Sequence, residues 1–314
     1  MRPRHFDRNN PRRNPPPPKR DENEARFYDG QAIDPSPRIR LEDGSSALTV
    51  RAMDLVAPIG IGQRGYIVAP PGSGKTTFLK DICNAVAKGQ PNIKLYCLLI
   101  NERPEEVTDF KRNVVAEVRA SSSDNTQEQH VQVADTLMRQ AVREAGAGQN
   151  VMIVIDSLTR LARVHNAERH SSGRTLSGGM DARAMEIPRR IFGAARKIEN
   201  GGSLTILATV LVETGSRMDD VIFEEFKGTG NMEIILSREI STRRIFPAID
   251  IAKSGTRKEE LLLGPEELGA VRKLRRVLAK MTPVDAAQQL VTELQSYPTN
   301  KEFLAAVDKF ASDK

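Results

Sequence analysis

The stretch Ile67–Lys80, IVAPPGSGKTTFLK, decides the fold of this 314-residue chain. It runs from an apolar segment through a Gly- and Pro-rich turn into a helical pattern. Strand, glycine-rich turn and helix in this order are the context of a phosphate-binding loop. The alternative is an ordinary turn before a helix. We predict a nucleotide site here.

Each position of the loop has a physical role. Gly72 and Gly74 let backbone N–H groups point at phosphate oxygens, and the helix N-terminus adds a favourable dipole. Lys75 should contact the β- and γ-phosphates, and the Thr76 hydroxyl should bind Mg²⁺. Ala69 stands where the common pattern begins with Gly. The predicted nucleotide-binding residues of the loop are Pro71, Gly72, Ser73, Gly74, Lys75, Thr76 and Thr77.

Short apolar runs alternate with helical stretches from Gly65 onward. The expected strands are GYIVAP and the runs at 94–100, 151–156, 203–212 and 231–237. The expected helices are Thr76–Lys88, Thr126–Glu144, Asp181–Glu199 and Met218–Phe226. Strands apolar on both faces predict an α/β fold with a mostly parallel central sheet flanked by helices. From about residue 258 the pattern is helical only.

Two acids at predicted strand ends suit phosphoryl transfer. Asp156 ends the run VMIVID and can hold Mg²⁺ through water. Glu102 ends the run CLLINE and can orient or deprotonate the attacking water. Glu105 and Glu106 compete for that role, but they better fit the first turn of a helix after Pro104.

Positive charge must also reach the transition state. The candidates outside the loop are Arg103, Arg160, Arg244 and Arg257, each of which could equally be a solvated arginine. Arg257 lies in a Ser-Gly-Thr turn from which its side chain could reach a neighbouring subunit.

Composition divides the chain into three parts. Residues 1–20 hold seven Lys and Arg against one acid, which accounts for the whole net charge of +6. We predict a disordered basic tail at 1–24, either solvated or a tether for nucleic acid, and a connector at 25–50. Residues 51–314 should form the nucleotide-binding domain. Cys83 and Cys97 should pack in the core. No membrane-length apolar run or signal peptide is visible, so we expect a cytoplasmic protein.

With these residues in hand, the chain resembles the bacterial transcription termination factor Rho family, whose members are ring-shaped RecA-like ATPases. The resemblance runs from about Arg38 to the end and rests on long stretches. They include RAMDLVAPIGIGQRGYIVAPP (51–71), LLINERPEEVTDF (98–110), IDSLTRLARVHN (155–166), the segment 193–238 and RRIFPAIDIAKSGTRKEELLL (243–263).

The resemblance implies an ATP- and Mg²⁺-dependent homohexamer that moves along single-stranded RNA. It implies that Lys75 and Thr76 are the phosphate-loop pair, Asp156 the Mg²⁺-associated acid and Glu102 the catalytic carboxylate. It further implies an arginine finger at Arg257, interface arginines at Arg103 and Arg244, and a ring stacked on adenine at Phe246.

Two loops resemble the family's RNA-gripping pore loops. The first is 169–181, with Arg174, Thr175, Ser177 and Gly178 as expected RNA contacts, and the second is 213–217, with Gly215, Ser216 and Arg217. Without the resemblance, both could be ordinary polar surface loops.

The chain also departs from the family. About forty residues precede the matching region, too few for the family's N-terminal oligonucleotide-binding barrel. Gly72 and Ser73 replace Lys-Ala, Asn101 replaces Asp, and Arg174 and Arg217 replace pore-loop lysines.

We therefore expect a short Rho-like RNA translocase or helicase, with RNA polymerase or full-length Rho as further possible partners and no membrane partner. The rivals are a non-motor regulator that co-assembles with full-length Rho, and a rotary ATPase subunit coupled to transport.

Overall fold

The computed structural model describes residues 21–168, 179–181 and 183–308. Its strands, in chain order, are β1 (Ala32–Ile33), β2 (Arg38–Ile39), β3 (Ile59–Gly60), β4 (Arg64–Ala69), β5 (Ile93–Glu102), β6 (Glu117–Ser122), β7 (Asn150–Asp156), β8 (Arg196–Ile198), β9 (Ser203–Leu211), β10 (Met232–Ile235) and β11 (Gly255–Thr256). The helices are α1 (Glu22–Asp29), α2 (Leu48–Val56), α3 (Lys75–Gly89), α4 (Pro104–Asn113), α5 (Gln127–Gly146), α6 (Leu158–Glu168), α7 (Glu186–Gly193), α8 (Arg217–Phe226), α9 (Arg238–Thr242), α10 (Pro265–Leu278), α11 (Pro283–Ser296) and α12 (Asn300–Ala305).

A mixed sheet forms the centre of the molecule. Its strand order is β11-β10-β4-β9-β7-β5-β6, and every pair from β10 to β6 is parallel. The antiparallel strand β11 closes one edge, and β8 and β1 continue from β9 in antiparallel pairs. The predicted α/β class and mostly parallel sheet are confirmed.

Alternating side chains of the strands feed two hydrophobic layers. Along β5, Cys97 and Leu99 enter the layer packed with α2, α3, α10 and α11, whereas Tyr96, Leu98 and Ile100 enter the layer packed with α5 and α6. Strands buried on both faces produce the continuous apolar runs of the sequence. The two cysteines pack in this core as predicted, with free, buried thiols and sulfur atoms 3.3 Å apart.

Most expected elements are present, and one is wrong in part. The expected strands correspond to β4, β5, β7, β9 and β10. The predicted helix Asp181–Glu199 is helical only over α7, after which residues 196–198 form β8. Pairing with β9 and β1 overrides the helical pattern there, because the first residues of β9, Ser203 and Leu204, extend beyond β4 and offer backbone partners to β8.

The N-terminal and C-terminal segments pack together. The expected connector, residues 25–50, contains short strands and the start of α2. The expected boundary between tail and connector, at residue 24, falls inside helix α1. After residue 258 the structure is a short 3₁₀ turn and three helices, as expected. Across the described ranges, no helix combines the length and apolar character needed to cross a membrane.

A buried carboxylate links the N-terminal segment to the C-terminal helices. Asp54 on α2 is 1% exposed and accepts hydrogen bonds from the backbone N–H groups of Leu41 and Glu42. The Arg38 guanidinium lies 3.5 Å from it and 2.6 Å from Glu267 on α10. Burial raises the pKa of Asp54 to about 6, against the lowering effect of Arg38 and the two N–H donors.

Asp54→Asn tests this raised pKa. Between about pH 4 and pH 6 the folded state holds a proton that the unfolded chain has released, so stability falls as pH rises through this window. We expect Asp54 to contribute on the order of 2 kcal/mol to the unfolding free energy that the wild type loses across this window, and Asp54→Asn to lose less than the wild type by about this amount. Urea unfolding over a pH series measures this. Asp43→Asn, at an exposed acid of the same segment, should keep the wild-type slope, and an equal slope in Asp54→Asn would refute the assignment.

Candidate functional site

The carboxyl ends of three parallel strands position the candidate site. The phosphate loop follows β4, Glu102 is the last residue of β5, and Asp156 is the last residue of β7. Parallel strands end at the same edge of a sheet, so the three groups lie close together although 81 residues separate Lys75 from Asp156.

The phosphate loop has the backbone that its glycines permit. Gly72 and Gly74 have φ values of 77° and 87°, in the left-handed region that favours glycine. Helix α3 begins at Lys75, so Thr76 and Thr77 lie in its first turn, where backbone N–H groups have no helical acceptor. The Ser73 hydroxyl is buried without a hydrogen-bond partner in the described structure. These donors fit a phosphate group.

Lys75 contacts both acids. Its Nζ lies 2.5 Å from each carboxylate oxygen of Asp156 and 3.5 Å from Glu102 Oε1. Glu102 and Asp156 are 1% and 2% exposed, so the ammonium group neutralises charge that water does not reach. The structure thus brings together three residues that the sequence singled out.

A bulge in β5 aims Glu102 into the site. Strand pairing with β6 shifts between Ile100 and Glu102, which leaves Asn101 as an extra residue with φ of 52°. Asparagine tolerates this left-handed conformation better than most residues. An extra residue reverses the alternation of side chains along a strand, so the bulge explains why Glu102 faces Lys75.

The environment of Glu102 raises its pKa to about 7. Burial is the main cause and the Asp156 charge adds to it, while Lys75 and Arg160 act in the opposite direction. Arg160 Nη1 lies 2.7 Å from Glu102 Oε2, but the angle is not that of a hydrogen bond, so this oxygen lacks a donor among the described residues. Arg160 also donates to the Asn101 carbonyl. Glu102 Oε2 is therefore a hydrogen-bond acceptor that no described residue uses.

Thr209 is a site residue that the sequence analysis missed. Its hydroxyl, fully buried on β9, donates to Asp156 Oδ1 at 2.7 Å and helps to fix the orientation of that carboxylate. The available signal was a threonine inside the apolar run SLTILATVLV, at a position where a pure core strand would carry Val or Ile.

Phe246 lies beside the phosphate loop. Its ring is 43% exposed, and a methyl group added at Gly74 would lie 3.2 Å from the Phe246 Cε1 atom. An exposed aromatic ring next to a phosphate cradle can stack on a nucleobase. Stacking on adenine stays a prediction.

The first turn of α4 accounts for the other acids near the site. Glu105 and Glu106 lie there after Pro104, as predicted. Arg103 is the N-cap residue of this helix, and the Nε atom of its largely exposed side chain lies 3.9 Å from Glu106. Arg244 is also exposed, with φ of 61°. Both arginine side chains are therefore accessible to a neighbouring molecule.

Arg257 lies at the other end of the sheet. It follows Thr256, which pairs with Met232, which in turn pairs with Gly65 at the start of β4. The phosphate loop begins after Ala69, so strand β4, about 16 Å long, separates Arg257 from its own loop. The structure does not bring Arg257 into the site of the same chain.

The two candidate RNA loops differ in what the structure describes. Arg174, Thr175, Ser177 and Gly178 lie outside the described residues. Gly215, with φ of 77°, precedes Ser216 and Arg217 at the N-terminus of α8, and Arg217 is exposed. The RNA-binding role of both loops stays a prediction.

The donor set fits Mg²⁺ held together with a nucleotide. In the parts of the chain with described structure, no group of three or more His, Cys, Asp and Glu side chains could hold a metal alone. Mg²⁺ commonly takes one or two protein oxygens and completes its shell with water and phosphate. Thr76 and Asp156 are suited to be those ligands.

Comparisons with known proteins give two relationships. Residues 49–256 match the model of the ATP synthase alpha/beta family, nucleotide-binding domain. Curated relatives are called transcription termination factor Rho. The one from Aquifex aeolicus is 51% identical over 94% of this chain and 68% of its own length, and the one from Streptobacillus moniliformis is 52% identical over 86% and 65%. A third, from Streptomyces lividans, is 52% identical, and the chain spans only 39% of it.

Solved structures with the same fold include ATPases of type III secretion systems. One described as a prototypical ATPase of pathogenic bacteria has a TM-score of 0.72 at 26% identity, covering 89% of this chain and 86% of that chain. The assembled ATPase EscN from enteropathogenic E. coli has a TM-score of 0.70 at 25% identity, covering 90% and 73%.

Thr209→Val tests the hydrogen bond that holds Asp156. The substitution keeps the side-chain volume and removes the donor, so we expect a loss of about 1–2 kcal/mol in unfolding free energy and roughly tenfold slower ATP turnover. Thr205→Val is the matched control, because Thr205 is buried on the same strand but bonds to Gly62 away from the site. It should lower stability without slowing turnover; equal turnover in the two variants would contradict the role of Thr209.

Proposed function

The chain belongs to the transcription termination factor Rho family, and from that premise we propose that it is an RNA-stimulated ATPase. It would hydrolyse ATP at the junctions between copies in a ring and move along single-stranded RNA held in the central pore. The chain spans between 39% and 68% of the three relatives described above, so activity, substrate and partners are proposed for this chain rather than transferred.

One observation carries the proposal. Lys75, Glu102, Asp156 and Arg160 are gathered at the phosphate loop, with Lys75 and Arg160 each within ion-pair distance of a carboxylate. Phosphoryl transfer depends on positioning and charge stabilisation, and this cluster contains the types of group that it uses. A domain that only bound nucleotide would not need a water-directed carboxylate in addition to the loop.

ATP binding has to redistribute the charges of this cluster. Lys75 is held by Asp156 and Glu102, so the γ-phosphate must compete with both carboxylates for the ammonium group. Thr76 and Asp156 would hold Mg²⁺, which neutralises phosphate charge when bound. Asp156 would thereby exchange one cation for another and remain paired in its buried position.

Glu102 would then act on the attacking water. Its Oε2 has no hydrogen-bond donor among the described residues, and its raised pKa suits a group that takes up a proton near neutral pH. Arg160 holds the backbone of Asn101 and lies against Glu102, so it would fix the direction of the carboxylate.

The placement of Arg257 supports assembly of several copies. Its own phosphate loop is at the far end of β4, so an arginine finger at this position would complete the site of a neighbour. Contact between opposite ends of identical chains is heterologous, and such contacts close into rings when the rotation allows. Arg103 and Arg244 are exposed and would contact the neighbouring copy at this junction.

RNA is the proposed polymer in the pore. Gly215, Ser216 and Arg217 would follow the backbone of single-stranded RNA through a glycine-containing turn and one cation. The basic segment 1–20 would add non-specific, salt-dependent affinity. RNA polymerase and full-length Rho remain proposed partners, and the cytoplasm remains the proposed location.

The rival functions are less well supported. A regulator that only joins rings of full-length Rho has no need of the gathered Lys75, Glu102 and Asp156. A rotary ATPase subunit coupled to transport is favoured by the structural neighbours, but these share 25–26% identity, against 51–52% for the Rho relatives.

The experiment measures ATP turnover of the purified chain with and without single-stranded RNA, at low and moderate salt. We expect at least tenfold stimulation by RNA, abolished by Glu102→Gln and by Lys75→Ala. Lys75→Ala leaves two buried carboxylates without their cation, so its melting temperature must accompany the assay. Glu102→Gln preserves shape and is the cleaner variant.

The other two outcomes of this assay would support one of the rival functions. Fast turnover that RNA does not change would overturn the RNA-dependent function and favour the rotary subunit. Absence of turnover in a protein that forms rings would favour the regulator, and mixing with full-length Rho would then be informative.

A further inference from the structure

Helix α6 links the candidate catalytic site to both candidate RNA loops. It begins two residues after Asp156, and three of its polar residues make the connecting contacts at a spacing of three: Arg160, Arg163 and Asn166. Residues three apart are neighbours on a helix surface, and six residues rise only about 9 Å along the axis. A segment of α6 only about 9 Å long therefore contacts three different parts of the molecule.

The first contact reaches the candidate catalytic carboxylate. Arg160 lies 2.7 Å from Glu102 Oε2 and donates to the Asn101 carbonyl, which belongs to the bulge that aims Glu102. A small displacement of α6 would move the arginine and change the direction of this carboxylate.

The second contact anchors the loop 213–217. Arg163 Nε donates to Asp219 Oδ1 at 2.8 Å and its Nη2 donates to Oδ2, a two-pronged pair with fixed geometry. Asp219 is fully buried in the first turn of α8 and also accepts from Thr214 Oγ1 at 2.5 Å. Because a buried carboxylate is costly to leave unpaired, the loop should move together with α6.

The third contact holds the end of the other loop, residues 179–181. Asn166 is 2% exposed, its Nδ2 donates to the Gly179 carbonyl at 3.1 Å, and its Oδ1 accepts from the Asp181 N–H at 2.7 Å. Both hydrogen bonds go to backbone groups. The position of residues 179–181 is thus tied to the same helix.

We propose that α6 is the mechanical connection through which RNA in the pore sets the direction of Glu102, with Arg163 as the positioning residue that joins α6 to the loop 213–217. The inference rests on the proposed function, since it assumes that this loop contacts RNA. RNA that displaces the loop pulls on Asp219, Arg163 carries the displacement to α6, and Arg160 changes its position against Glu102.

Arg163 lies outside the candidate catalytic site. Arg163 is 40% exposed and touches neither the phosphate loop nor Glu102 in the contacts described above, so its removal should leave ATP binding and basal turnover intact. A coupling residue changes how strongly one site responds to the other, and not the affinity of each site alone.

The test compares Arg163→Gln with the matched control Arg189→Gln. Arg189 is 46% exposed and pairs with Glu225, so it joins α7 to α8 as Arg163 joins α6 to α8. For Arg163→Gln we expect the ratio of RNA-stimulated to basal turnover to fall about fivefold or more, with RNA affinity and basal turnover within about twofold of wild type. Arg189→Gln should retain the wild-type ratio.

Two further variants guard against misfolding. Arg163→Lys keeps the charge with a single donor group and should recover part of the ratio. Arg163→Gln combined with Asp219→Asn removes the unpaired buried charge, and it should have a normal melting temperature but still lack stimulation.

The outcomes separate the two claims. A wild type without RNA stimulation overturns the proposed function itself. A stimulated wild type with an equally stimulated Arg163→Gln overturns only the role of α6. Parallel loss of basal turnover, RNA affinity and melting temperature in the double variant also overturns it, because that pattern is the signature of a structural pin.

Discussion

The pairing of Lys75 with two buried carboxylates is the constraint on which the site depends. Glu102 and Asp156 are nearly inaccessible to water, and unpaired charges in such a position are strongly unfavourable. The ammonium group of Lys75 makes both tolerable at the carboxyl edge of the sheet. The other polar residues nearby refine this arrangement: Thr209 orients Asp156, and Arg160 lies against Glu102. Nucleotide binding is then an exchange of partners within an already assembled cluster.

The sequence predicted the parts of the site that depend on local pattern. The phosphate loop, its flanking strand and helix, and the two acids at strand ends follow from hydrophobic runs and from Gly-Ser-Gly-Lys-Thr. The register of parallel strands then places Asp156 beside Lys75, and order along the chain cannot specify that register. The left-handed conformation of Asn101 and the bulge could not be predicted from the sequence either, because no residue pattern indicates an extra residue in an apolar strand.

The misses have a common physical origin. The helix expected over Asp181–Glu199 ends at Gly193, and residues 196–198 pair instead with the first residues of β9, which extend beyond β4. In the sequence Thr209 cannot be told from another core residue, but in the structure its hydroxyl donates to Asp156 on the adjacent strand β7. In both cases a residue's role depends on a contact with a distant part of the chain, and local sequence preferences do not predict such contacts.

The phosphate loop and Arg257 lie at opposite ends of the sheet. Each subunit would therefore contribute its phosphate loop to one catalytic site and its Arg257 to the site of a neighbour. Each chain would present the loop with Lys75 and Glu102 at one end of the sheet and the arginine at the other. A ring of such units couples neighbours by construction, and α6 would extend this coupling inward toward the pore. Catalysis would therefore be a property of the junction between copies.

The most direct measurement of that central claim is complementation between two inactive variants. Lys75→Ala and Arg257→Ala are purified separately, mixed in equal amounts under conditions that let rings exchange subunits, and assayed for ATP turnover. If sites form between copies, about one junction in four carries both functional residues, and turnover should rise toward that fraction of wild type. Turnover of the mixture equal to the mean of the two separate variants, despite demonstrated exchange, would contradict the account.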